Sequence, residues 1–175
     1  MQTQNEKFKS GYAAISENSK SNKGETNDCV VRAVMNSFDI EYDKAHKWCA
    51  TKLRRKHRQG VMNTIAKLAD LANNDFTLNG KTIRKIYMGK KGEVEKEWNP
   101  SRWKKMEILR NPSYSHKHVD YTVGTFTEDF NKGTFLAIVR GHAICIKDGV
   151  LYDNREYQHS GNRRPLKAIF QIEEK

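Results

Sequence analysis

Residues 133–154 read GTFLAIVRGHAICIKDGVLYDN, and the fold turns on this stretch. Three short runs rich in β-branched and aromatic residues follow each other closely: Gly133 to Arg140, His142 to Lys147, and Val150 to Asp153. Between the last two stands Lys147-Asp148-Gly149, whose Asp-Gly pair is a strong hairpin signal. A hairpin folded about Asp148 and Gly149 pairs positions that sum to 297, which sets Arg155 opposite His142. Asp153 then becomes the diagonal neighbour of His142 on the same face, within reach of a long side chain. Asn154 comes opposite only if the register slips by one. A titratable residue at the mouth of an apolar strand needs a reason, and His142 is that residue.

The chain before this stretch has a different period. Thr26-Asn27-Asp28 is a cluster of N-cap residues, after which Val30, Val31, Val34, Met35 and Phe38 recur at helical spacing and predict a helix over 29–38. A second helix is predicted over 42–57 on Ala45, Trp48, Cys49 and Leu53, with the basic run 52–58 along its exposed side. A solvated face is the expectation for that run, ahead of a phosphate-binding patch. Gly60 breaks the chain, and Asn63 or Thr64 caps a third helix ending near Leu71, with Ile65, Leu68 and Ala69 inward. Lys81 to Met88 reads as a strand, Tyr121 to Val123 as a brief one, Phe126 to Phe130 as a helical turn, and Ala168 to Ile172 as a last strand. Lys90 to Tyr114 reads as a loop whose Trp98 and Trp103 either shape specificity or fill a small core of their own. Helices first and an antiparallel sheet after them make an α+β chain. Residues 1–25 are expected to form a loosely held arm pinned by Phe8, Tyr12 and Ile15, and 26–175 a single domain.

Composition narrows the function classes. The 175 residues are 37% hydrophobic and 30% charged, with a mean hydropathy of -0.87, so a small core lies under a charged surface. No apolar run approaches the roughly 20 residues that span a bilayer, and the N-terminus lacks the apolar stretch of a signal peptide. Three cysteines are too few for a disulfide framework, so a reducing, cytoplasmic setting is expected. The net charge of +11 favours nucleic acid or an acidic protein as partner, and no membrane.

Cys29 occupies the first turn of the first helix, where free N–H groups and the macrodipole favour a thiolate. Cys49 and Cys145 sit inside apolar periodic stretches and read as structural. A thiolate nucleophile needs a base, and the base an orienting partner. Among six histidines, His46, His57, His116, His118 and His159 lie in charged or loop contexts that suit exposed bystanders, which leaves His142. Its orienter is Asp153 or Asn154. No metal site is expected, since His116 and His118 are a lone i, i+2 pair. No cofactor is expected either, since Gly89-Lys90-Lys91-Gly92 is a basic turn without a P-loop's context.

Thr26 to Ala33 together with Gly133 to Asn154 resembles the papain-like cysteine peptidase superfamily, most of all its small bacteriophage-encoded members and the bacteriocin-leader peptidases of export transporters. The resemblance covers about half of the chain, over roughly 26–71 and 121–154. It implies a papain-like fold, with N-terminal helices, the nucleophile helix among them, packed on a C-terminal antiparallel sheet. It implies Cys29 as nucleophile, His142 as general base and Asp153 as orienter, as in the leader peptidases, with Asn154 matching the papain pattern instead. The family's usual Gln, about six residues before the Cys, is replaced here by Lys23. Asn27 or Asn22 would then supply a side-chain amide to the oxyanion, joined by the Cys29 N–H. The implied activity is that of a thiol hydrolase on a peptide or protein, whether peptidase, isopeptidase or amidase, phage-encoded and placed in the host cytoplasm or the virion. The other reading is an inactive papain-like basic protein that binds nucleic acid or an acidic protein partner.

Overall fold

The structure, a computed structural model, describes residues 8–10, 19–87, 121–153 and 163–175. In chain order the elements are β1 (Phe8–Ser10), α1 (Cys29–Phe38), α2 (Tyr42–Lys52), α3 (Thr64–Asn73), β2 (Thr77–Leu78), β3 (Lys81–Tyr87), α4 (Val123–Asp129), β4 (Thr134–Val139), β5 (His142–Lys147), β6 (Val150–Asp153) and β7 (Ala168–Glu174). The strands form one sheet in the order β1-β6-β5-β4-β7-β3-β2. Every described pairing is antiparallel except that of β1 with β6. The α+β class expected from the sequence is therefore what the chain forms.

The central strands carry continuous apolar runs because helices cover both faces of the sheet. On one face Leu136, Ile138, Ala143, Ala168 and Phe170 pack with α1, α2 and Leu68 of α3. On the other, Phe135, Ala137, Ile144 and Ile146 pack with Val123 and Phe126 of α4 and with Phe130 beyond it. Phe126 stands edge-on to Phe135 at 5.0 Å between centroids, a favoured aromatic geometry.

One relationship in this core sets the position of the site. Helix α1 lies along β5 and runs with it. At its far end Asp39, in the left-handed region (φ 50°), accepts from Lys147 at 2.5 Å and from Lys81 of β3 at 2.5 Å. Ten residues of helix advance about 15 Å, and the five steps from His142 to Lys147 about 17 Å. Anchoring Asp39 at the end of β5 therefore brings Cys29 to its beginning, at His142.

Several expectations need correction. The second helix ends at Lys52 and not at 57, since Arg54 adopts a left-handed φ of 52° and the Arg55 N–H turns back to the Cys49 carbonyl at 3.0 Å. The basic run is thus not a helix face, and Arg55 within it is buried. The third helix continues to Asn73, and the β2–β3 hairpin about Asn79 and Gly80 was not anticipated. Within the segment expected as an arm, residues 8–10 pair with β6 and Ser19 donates to Asp43 of α2 at 2.5 Å. Thr122 makes only an isolated bridge, to Pro165, and Val123 begins α4. The Lys90–Tyr114 segment with Trp98 and Trp103, Gly89-Gly92, Tyr12, Ile15, Asn154, His116, His118 and His159 lie outside the described residues.

Candidate active site

The residues before Cys29 look like caps and do other work. Asp28 occupies the N-cap position without a side-chain bond to a backbone N–H of the helix. Its buried carboxylate accepts from the Tyr42 hydroxyl at 2.7 Å and pairs with Arg32 at 2.9 Å. Asn27 sits at φ 53°, and its amide donates to the Arg58 carbonyl at 3.1 Å, as the Thr26 hydroxyl does at 3.3 Å. The main-chain N–H groups of the first turn, which a helix leaves without internal partners, thus keep no side-chain acceptor at this N-cap.

Below these residues lies Glu25, whose side chain is fully buried. It accepts from Arg55 at 3.0 Å, meets His46 Nε2 at 2.6 Å and accepts from the Arg58 N–H at 2.8 Å. Burial alone would raise its pKa, yet Arg55, His46 and the N–H groups of Thr26 and Arg58 outweigh burial and hold it at about 2. The segment leading into Cys29, residues 25–28, is joined to residues 54–58 through this carboxylate. His46 is accordingly not an exposed bystander, whereas His57 is largely exposed.

Cys29 is half-buried at the start of α1. Burial pushes its thiol up, but a hydrogen bond and charge from His142 outweigh that, with N–H groups of Ala143 and Val30 adding to them, so its pKa lies below the ordinary thiol value of 9.0. His142 opens β5, and its Nε2 lies 2.5 Å from Asp153 Oδ1. Burial works against the imidazolium, but Asp153 and Cys29 prevail and raise His142 to about 9. Asp153 is buried at the end of β6, and Arg164 Nη2 donates to its other oxygen at 2.5 Å. With Nε2 given to Asp153, Nδ1 is the ring nitrogen left for the sulfur. Cysteine, histidine and aspartate therefore come together as the residue types predict.

The register behind this contact is the predicted one, with Cys145 opposite Tyr152 and Lys147 opposite Val150. No protein-family model, curated protein or solved structure matches the chain. Its chemistry has to be read from the geometry alone.

A thiolate beside an imidazolium at a helix start is a ready nucleophile with its proton donor in place. The other thiols are not, since burial pushes both Cys49 and Cys145 up to about 12. The sulfur opens on a cavity of about 690 Å³ that Cys29 and His142 line together. Val61, Ile65, Ala66, Ile138 and Val139 also line it. Asn27 is not among the described lining residues; its amide is instead given to the Arg58 carbonyl at 3.1 Å.

Among the described residues, Glu25, His46 and His57 form the cluster with metal-ligand spacing, their ligand atoms within 4.8 Å of one another. The Arg55 guanidinium, 3.3 Å from both Glu25 Oε2 and His46 Nε2, already supplies the positive charge there. Sequence reasoning missed Glu25, Arg55 and Arg164. Glu25 is a lone acid before a cap cluster, and Arg164 follows β6 after a long connection, so neither carries a local pattern.

Proposed function

We propose that the chain is a thiol hydrolase of papain-like type that acts on peptide or amide bonds, with Cys29 as nucleophile, His142 as acid and base, and Asp153 as orienter. The observation that carries this reading is that Cys29 and His142 line one cavity together, with His142 Nε2 held by Asp153 at 2.5 Å. The Cys29 thiolate adds to the carbonyl carbon, and the first-turn N–H groups of α1 face the oxyanion that forms. The His142 imidazolium gives its proton to the departing amine as the C–N bond breaks, leaving a thioester on Cys29. Neutral His142 then takes a proton from water, whose oxygen attacks the thioester. The carboxylic acid leaves, and the thiolate and imidazolium are restored.

Iodoacetamide labelling of the intact chain at pH 6, followed by peptide mapping, tests the proposal. Cys29 should be alkylated well ahead of Cys49 and Cys145 and faster than free cysteine, and Cys29→Ala should abolish any peptidase activity. Equal, slow labelling of all three thiols would reject the nucleophile and leave the basic binding module as the better reading.

A further inference from the structure

The cavity beside Cys29 has a charge character that the catalytic residues do not explain. Arg140 and Lys167 both line it, both are exposed, and neither has a carboxylate partner among the described residues. Three other arginines near the site are paired with carboxylates: Arg32 with Asp28, Arg55 with Glu25 and Arg164 with Asp153. Among the described residues that line the cavity there is no Asp or Glu. The backbone fixes where the two cations stand. Arg140 belongs to the two-residue turn between Val139 and His142, and the Lys167 N–H donates to the Ile138 carbonyl at 2.7 Å. Both therefore flank the same end of β4, one strand-turn from the base. The 60–66 segment also lines the cavity, with apolar Val61, Ile65 and Ala66 beside polar Asn63 and Thr64.

A cavity lined by two unpaired cations and several apolar side chains, with no acid among its described lining residues, selects by charge complementarity. From this we infer that the hydrolase selects polypeptide segments in which an acidic side chain stands beside the reacting carbonyl, next to an apolar residue. Arg140 and Lys167 would be specificity-determining residues. The inference rests on the thiol-hydrolase reading and goes beyond it in naming the substrate class. An exposed ion pair is worth up to about 1 kcal/mol, or about fivefold, so two cations together should give a preference on the order of tenfold.

Peptidyl chloromethyl ketones provide the test, since the thiolate displaces chloride and a thioether forms whatever the natural substrate is. Inactivation rates are compared at low salt for acetyl-Leu-Glu, acetyl-Leu-Gln and acetyl-Leu-Lys chloromethyl ketones, and for the same three residues placed before Leu. The expected order is Glu above Gln above Lys in at least one position. It should narrow as ionic strength shortens the Debye length to about 10 Å at 0.1 M, and it should flatten in the Arg140→Gln/Lys167→Gln double variant. Rapid labelling of Cys29 without that order in either position, or with an order that the double variant retains, overturns the inference and leaves the nucleophile standing. Protection of Cys29 by a single-stranded oligonucleotide, with no difference among the peptides, also overturns it. Labelling of Cys29 no faster than of Cys49 and Cys145 is the separate result that removes the hydrolase reading itself.

Discussion

His142 and Asp153 meet at 2.5 Å between Nε2 and Oδ1, across the diagonal of a hairpin whose turn is only Asp148 and Gly149. This contact fixes the imidazole tautomer and its charge together. Replacing the carboxylate by an amide separates the two effects, since Asn keeps the shape and loses the charge. In Asp153→Asn, the His142 pKa should fall from about 9 toward its ordinary value of 6.5. The imidazolium would then support the Cys29 thiolate less, and iodoacetamide labelling at pH 6 should slow by about tenfold for each pH unit that the thiol pKa climbs. Rates measured from pH 4 to 10 give the displacement directly. Asp153→Ala should slow labelling further, having lost orientation as well.

The pH dependence of the intact site has a definite sign. Cys29 lies below 9.0 and His142 above 6.5, at about 9, so between the two values the pair is thiolate and imidazolium. Hydrolysis should rise as pH passes upward through the depressed thiol value, and fall again near 9 when His142 loses the proton that the leaving amine needs. Alkylation needs no such proton. It should climb through the same acid limb, level off, and rise once more near 9 as the bare thiolate is released. A single alkylation step at the ordinary thiol value would mean that the two residues do not titrate together.

The hairpin was legible because one Asp-Gly turn fixes every partner in it. Asp148 and Gly149 take φ values of 49° and 73°, the positive pair that such a turn demands, and the sum of 297 then holds without tertiary information. Helix α1 was legible for a similar reason, since Val30, Val34 and Phe38 make one face whatever they pack on. The cap cluster misled. Asp28 and Asn27 are the right residue types, but Tyr42, Arg32 and the Arg58 carbonyl compete for their side chains, and nothing local reveals a partner 14 or 31 positions away. The basic run misled likewise: Arg55 reads as one more surface charge until Glu25, 30 residues earlier, is found beneath it. The Asn79-Gly80 pair, both residues at positive φ, carries the hairpin signal of the β2–β3 turn. The insertion of β7 between β4 and β3 depends on packing across the whole sheet, which no window of sequence contains.

Glu25 yields a stability prediction. A carboxylate whose folded pKa is lowered, here from 4.5 to about 2, contributes stability that is fully present above the unfolded value and is lost as pH falls through the folded one. Part of the acid unfolding of this chain should therefore fall between pH 4.5 and 2. Glu25→Ala leaves Arg55 buried without its carboxylate, keeping only the Thr26 carbonyl at 3.0 Å and His46 Nε2 at 3.3 Å among the described residues. Removing one member of a buried pair costs about 3–5 kcal/mol, which chemical denaturation would resolve. Because 25–28 and 54–58 are both tied to this carboxylate, the variant should also slow Cys29 alkylation at pH 7 under conditions where it remains folded.

Arg164 is the positioning residue of the site, since it touches Asp153 and not the reacting atoms. Its guanidinium donates to Asp153 Oδ2 at 2.5 Å while His142 takes Oδ1, so the aspartate is shared between two cations. Removing one of them leaves the negative charge to His142 alone. In Arg164→Met the imidazolium should thus be held more tightly, and the alkaline limb of hydrolysis should move above about 9. The thiol should meanwhile lose a nearby positive charge, which moves the acid limb in the same direction. Losing a hydrogen bond to a charged group costs about 1.5–3 kcal/mol of stability, and a purely structural role would show that cost alone. Arg164→Lys, which restores the charge without the guanidinium fork, should return both limbs toward their original positions while recovering only part of the stability. Limbs that stay fixed in Arg164→Met, with stability lost, would make Arg164 a packing residue and leave Asp153 to orient His142 unaided.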